Sequence, residues 1–176
     1  YELTKKLKSK RLENGFDFRS DEFRLNLNKE QKLLDTTLET SSPSHSLVEE
    51  CMLLANVQAS QKLNNLGIYR IHDEPSSNAI QKLLDEAYYL GIKASNKGDI
   101  HKTITGLQKK AKNTPYVKQI DEMIIQSQTQ ARYSQKKSSH FGLGFENYSH
   151  FTSPIRRYAD LIVHRSLVKS LGLKDG

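Results

Sequence analysis

One cysteine, no tryptophan and only four prolines stand among the 176 residues of this sequence. A lone thiol, Cys51, closes no internal disulfide, which excludes a disulfide scaffold and favours a reducing, cytoplasmic compartment. Nowhere do the roughly 18 consecutive apolar residues of a membrane-spanning helix occur, so no membrane partner is expected. Glycine and proline are too sparse for a collagen-like chain, and no heptad, internal repeat or long low-complexity tract is present. No initiator Met precedes Tyr1, and Tyr1–Lys6 lacks the apolar centre of a leader segment. The chain is expected to be cut from something longer.

Charge is what the sequence has in quantity. Lys and Arg number 27 against 20 Asp and Glu, a formal net charge of +7. The excess is local: residues 93–140 hold ten basic and three acidic side chains, whereas residues 35–92 hold three and eight. A basic stretch such as Lys102–Lys118 can neutralise phosphates, and it can equally be a solvated helix face. Charge nominates a polyanion without identifying one.

Apolar spacing divides the chain into short elements. Tyr1–Leu12 reads as a helix closed by Asn14-Gly15. Phe16–Phe18, Phe23–Leu27 and Leu33–Glu39 read as three antiparallel strands, with Asn28–Gln31 as a turn. Ser41-Ser42-Pro43-Ser44 opens a long helix, Leu47 to about Leu66, whose inward stripe is Val48, Met52, Ala55 and Ala59. A short strand follows at Ile68–His72. Helices are expected from Pro75 to Leu90, from Asp99 to Lys112, and from Pro115 to Arg132, the last with Val117, Ile120, Ile124 and Ile125 inward. Tyr133–Ser139 reads as a loop, His140–Phe145 as strand-like, and Ser153-Pro154 as the start of a final helix reaching about Leu171. The class is α+β, mostly helical with a few short antiparallel strands.

The stretch from His140 to Arg165, HFGLGFENYSHFTSPIRRYADLIVHR, carries the chemistry. Pro154 suits a first helical position, with Thr152 or Ser153 as the cap, which puts Arg156 and Arg157 in the first turn. Cations there oppose the helix dipole by about 0.3–1 kcal/mol each, and a bound anion relieves the conflict. The alternative is an Arg156–Asp160 ion pair with His164 beside it, since four-residue spacing places all three on one face. Phe141, Phe145, Tyr148 and Phe151 stand just upstream, suited to base stacking or to a core. His140, His150 and His164 are too irregularly spaced for a zinc signature, and no metal ligand is expected in the chain.

This stretch resembles the signature of the RNB family of exoribonucleases, and is most similar to its bacterial ribonuclease R members. Three other segments agree in order: Phe16-Asp17-Phe18 with Glu22, Leu47–Met52, and Tyr69–Ser76. The resemblance implies that residues 1–176 are the C-terminal half of an RNB catalytic domain. The family hydrolyses single-stranded RNA processively from the 3′ end to nucleoside 5′-monophosphates with Mg²⁺. By position, Arg156 is similar to the arginine that holds the scissile phosphate. Glu50 resembles the carboxylate that recognises the terminal ribose, with Glu49 as its alternative. Phe18 resembles the aromatic that packs on the last bases, and Arg157, Ser153 and Thr152 add phosphate contacts. In the family, the metal-binding aspartates, the clamping tyrosine and the flanking OB-fold domains lie outside the matching region. Glu13-Asn14 stands where relatives carry Arg-Gly. The missing N-terminal half of the domain is therefore an expected partner, and the isolated chain is expected to be inactive. A non-catalytic RNA-binding module that keeps the channel wall is the alternative.

Overall fold

In the computed structural model, residues 2–18, 22–39, 42–63 and 67–173 are described. The chain runs α1 (Glu2–Leu12), β1 (Glu22–Leu27), β2 (Leu33–Glu39), α2 (Pro43–Lys62), β3 (Tyr69–Ile71), α3 (Ser77–Tyr89), α4 (Ile100–Ala111), α5 (Val117–Ser127), β4 (Arg132–Ser134) and α6 (Tyr158–Ser170). The α+β expectation holds, with two separate antiparallel sheets of two strands each among the described residues.

The main core is a three-helix layer. Apolar residues recur at helical spacing in α3 (Ile80, Leu83, Leu84, Ala87), α4 (Ile104, Leu107, Ala111) and α5 (Ile120, Ile124), and all are buried together with Phe16. Each large side chain contributes roughly 1.5–3 kcal/mol by leaving water. The Ser76 hydroxyl accepts from the Ala79 amide and the Asp99 carboxylate from the Lys102 amide, so α3 and α4 begin where free amides find side-chain acceptors. A second cluster gathers Leu63, Tyr69, Ile71 and Val163 beneath Phe151 and Leu167.

Strands β1 and β2 form a hairpin with Phe23 opposite Leu38 and Leu25 opposite Thr36. Asn28 closes its turn by accepting from the Glu30 and Lys32 amides. Alternation puts Phe23, Leu25 and Leu27 on one side of the ribbon, and all three are more than half exposed.

Five expectations need correction. Phe16–Phe18 is extended but is no strand; its one ladder-like bond is from the Phe16 amide to the Gly142 carbonyl, because the three-helix core takes the Phe16 ring. In α2 the buried positions are Glu50, Asn56, Ala59 and Ser60; Ala59 of the expected stripe is covered, whereas Val48 is exposed, since this helix meets polar partners on its covered side. The expected end of α2 at Leu66 lies outside the described residues. Helix α5 stops at Ser127 and leaves Ile125 exposed. Arg132 leaves the expected helix, and Tyr133 and Ser134 the expected loop, to pair with β3, whose backbone groups need a partner. Residues 141–143 make a single 3₁₀ turn instead of a strand.

That 3₁₀ turn is tightly packed. His72 accepts from the Gly142 amide through Nδ1 and faces the Thr129 carbonyl through Nε2, so its proton sits on Nε2. His72 thereby ties the end of β3 to this turn and to the Thr129 backbone. Gly15 and Gly144 lie back to back: a Cβ on Gly144 (φ +71°) would stand 2.4 Å from the Gly15 amide nitrogen. Among the described residues no helix is long and apolar enough to cross a membrane.

Candidate functional site

Helix α6 starts at Tyr158, five residues later than Ser153. Pro154–Arg156 instead form a turn, with the Arg156 and Arg157 amides both donating to the Ser153 carbonyl. Arg157 takes the N-cap position in an extended conformation. Arg156 and Arg157 are therefore not in the first helical turn; that place holds Asp160, whose charge suits the helix dipole.

The reason is the Asp160 carboxylate. It is fully buried, and it accepts from the Ser153 amide (2.8 Å) and from Arg157 Nε and Nη2 (2.8 and 2.9 Å). Those bonds need an extended Arg157 and a folded-back Ser153, which a helix from Pro154 would not supply. Burial pushes the Asp160 carboxyl upward, but Arg157 and the Ser153 amide outweigh it and hold it below the usual range. The ion pair foreseen between Arg156 and Asp160 thus belongs to Arg157. Arg156 is exposed and pairs with no carboxylate among the described residues. The His164 ring stacks on Phe151 at 4.2 Å, with Nε2 2.9 Å from the Phe151 carbonyl.

A second buried side chain, from α2, grips the same turn. Asn56 Oδ1 accepts from the Phe151 amide (2.9 Å) and the Thr152 amide (3.1 Å), while Nδ2 donates to the Tyr148 hydroxyl (2.9 Å). Three successive amides, those of residues 151, 152 and 153, are thereby held by Asn56 and Asp160. Thr152 Oγ1 is buried without a hydrogen-bond partner among the described residues, and Ser153 and Arg157 are half-buried. Asn56 escaped the sequence reading because it sits in an otherwise apolar helical pattern; its polarity at a covered position was the available signal.

The Glu50 carboxylate is nearly inaccessible and lies against Arg11, with Nη2–Oε1 at 2.7 Å and Nε 3.2 and 3.3 Å from the two oxygens. Arg11 Nη1 also reaches the Phe16 carbonyl, so one guanidinium joins Glu50 to the segment that carries Phe18. Burial alone would lower the Arg11 pKa, yet the Glu50 partner raises it above its ordinary value. Arg11 was missed, although it continues the covered stripe of Thr4 and Leu7 at helical spacing. Glu49 is exposed. Phe18 is half-buried, stacked on Phe16 with centroids 5.9 Å apart, and Phe16 in turn meets Phe141 and His101.

The site residues thus fall into two groups. Thr152, Ser153, Arg156 and Arg157 share one turn; Glu50 and Phe18 are connected through Arg11. Helix α2 touches both, with Glu50 and Asn56 about 9 Å apart along its axis. Among the described residues no group of three or more His, Cys, Asp or Glu side chains could hold a metal ion.

Comparison with known proteins shows what the chain is similar to. The RNB domain profile matches residues 1–172. The chain is 43% identical over 175 residues to ribonuclease R of Helicobacter pylori, covering 97% of the chain and 27% of that protein. It is 33% identical over 181 residues to ribonuclease R of Escherichia coli, covering all of the chain and 22% of that protein. The solved structure of Mycoplasma genitalium RNase R in complex with ribose methylated single-stranded RNA superposes with a TM-score of 0.86 at 26% identity, over 94% of the chain and 27% of that structure. The chain spans about a quarter of the length of these relatives.

Proposed function

The chain belongs to the RNB-domain family, and from that premise we propose that it is the C-terminal half of the catalytic domain of a 3′→5′ exoribonuclease. The parent enzyme degrades single-stranded RNA processively to nucleoside 5′-monophosphates in the cytoplasm. The observation that carries the reading is the contrast between two adjacent arginines: Asp160 consumes Arg157, and Arg156 is presented on a fixed turn with no carboxylate of its own.

Arg156 holds the scissile phosphate and stabilises the charge that grows on its oxygens as the linkage breaks. A pre-placed cation helps most there because it needs no reorganisation at the moment of reaction. Arg157 works through its bond to Asp160, which sets the turn. Ser153 and the buried Thr152 hydroxyl add contacts to the phosphate. For Glu50 to accept the hydrogen of the terminal 2′-hydroxyl that DNA lacks, Arg11 must release one of its carboxylate oxygens; Glu49, exposed one residue earlier, is the alternative. Phe18 gives the last bases a stacking surface that tolerates any sequence. The Mg²⁺ proposed for the parent would take its ligands from the N-terminal half of the domain, outside these residues.

The test compares two proteins on a 5′-labelled single-stranded RNA with Mg²⁺. The full-length parent is expected to release mononucleotides, and the 176-residue chain is expected to release none. A parent that binds the RNA tightly without shortening it would establish instead a non-catalytic RNA-binding protein.

A further inference from the structure

Asn56 is 3% exposed, in the interior of the 20-residue helix α2. An amide buried in this way is unfavourable unless its hydrogen bonds are made, and an apolar residue of similar size would avoid the problem. Here three of its four bonding positions are filled, and each partner lies in residues 148–152, more than ninety positions away in sequence. Both lone-pair sites on Oδ1 are spent on consecutive loop amides just before Pro154. The Tyr148 hydroxyl that takes the remaining contact is itself buried and stays protonated, because burial raises its pKa. The helix that supplies the amide is capped at its start, where Ser42 and His45 bond to each other's backbone.

We propose that Asn56 is a positioning residue for the phosphate chemistry of Arg156: by fixing the amides of Phe151 and Thr152 it sets the reach and direction of the turn that presents the Arg156 guanidinium. The inference rests on the proposed role of Arg156. Asp160 anchors the turn from α6, and Asn56 anchors it from α2, the helix that also carries Glu50. The phosphate group and the ribose group of the site are thereby referred to one rigid rod, and a displacement of about 1 Å at such a centre can slow chemistry by about 100-fold.

A double-mutant cycle in the full-length parent tests this, with single-turnover cleavage of a labelled single-stranded RNA as the rate and RNA affinity measured with the metal chelated. Asn56→Ala is expected to slow cleavage about 100-fold and to change affinity by less than about threefold. In an Arg156→Ala background the same substitution is expected to slow cleavage by less than about threefold, because the group being aimed is gone. Asn56→Asp, which keeps oxygen acceptors at the same place, is expected to recover most of the rate. Asn56→Ser is measured alongside with melting temperatures, so that a folding defect in one variant does not decide the outcome. Equal slowing by Asn56→Ala in both backgrounds would show a merely structural amide and overturn the proposal, as would an unchanged rate in the wild-type background. Unchanged cleavage by Arg156→Ala alone would overturn the reading on which the proposal stands.

Discussion

Arg11 and Glu50, 39 residues apart in sequence, form a buried ion pair that fastens α1 to α2. Neither side chain keeps more than 5% of its exposure, so each has given up its water for the other. Removing one partner strands the other, and this is the expensive case: Arg11→Met is expected to destabilise the parent by about 3–5 kcal/mol. Replacing both, as Arg11→Met with Glu50→Leu, is expected to restore most of that loss. Denaturant unfolding measures the difference. If the single and double variants are equally destabilised, the pair is not what joins the helices.

The same pair separates the two candidates for ribose recognition. Glu50→Gln keeps the shape of the side chain but loses its charge, and is expected to reduce the preference for RNA over DNA 3′ ends by about tenfold or more. Glu49→Gln is expected to leave that preference unchanged. The reverse result moves the assignment to Glu49.

The two adjacent arginines are expected to fail in different ways. Arg156→Ala removes an exposed group, so turnover falls by about 10³-fold while RNA binding and melting temperature stay near wild type. Arg157→Ala leaves the buried Asp160 carboxylate uncompensated, so stability falls by about 3–5 kcal/mol together with activity. Thermal melts and single-turnover rates on the same preparations separate the two patterns; matching losses of stability would remove the distinction.

Two imidazoles near the turn give the protein an acid limit. Burial, with His72 and Arg70 nearby, depresses His140 to about 4, and burial with Arg157 nearby depresses His150 to about 4. Both rings are neutral when folded, and their ordinary value is 6.5. The unfolded chain therefore binds more protons between the two values, and stability declines as pH falls from about 6.5 toward about 4. The Asp160 carboxyl, held below its ordinary value, keeps its contribution until lower pH still. Melting temperature against pH should be flat above about 6.5 and fall below it, and Gln at both positions should flatten the decline. An acid decline of the same size in that double variant would place its origin elsewhere.

Glycine substitution tests how closely the chain crosses itself. Gly91 and Gly144 both have positive φ, 78° and 71°, but a Cβ meets nothing within 4 Å at Gly91 and backbone at 2.4 Å at Gly144. Gly91→Ala is expected to cost about 1 kcal/mol from conformation alone. Gly144→Ala is expected to cost at least about 2 kcal/mol more, since neither backbone can yield cheaply. Similar losses at the two positions would contradict the close approach.

Helix periodicity was legible wherever burial is apolar: Ile80, Leu83, Leu84 and Ala87 were placed within a helix whose cap, at Ser76, lies where Pro75-Ser76-Ser77 indicated. It misled where burial is polar. In α2, Glu50 and Asn56 occupy covered positions because Arg11 and the Phe151–Thr152 backbone meet them, and no local pattern encodes partners so distant. The start of α6 failed for the same reason. Pro154 is a sound helix opener in isolation, but the Asp160 carboxylate draws Ser153 and Arg157 into another geometry. The motif itself was readable, and Arg156 was singled out from it; the device that presents it was not.

Because Arg156 belongs to a turn and not to the helix that follows, its direction depends on how α2 and α6 lie against each other. Small changes in that packing swing the guanidinium together with the rest of its turn, without altering the arginine side chain itself. Laboratory evolution toward unnatural backbones, such as phosphorothioates or bulkier 2′-substituents, is therefore expected to collect its gains along the seam between those helices, leaving the arginine itself in place.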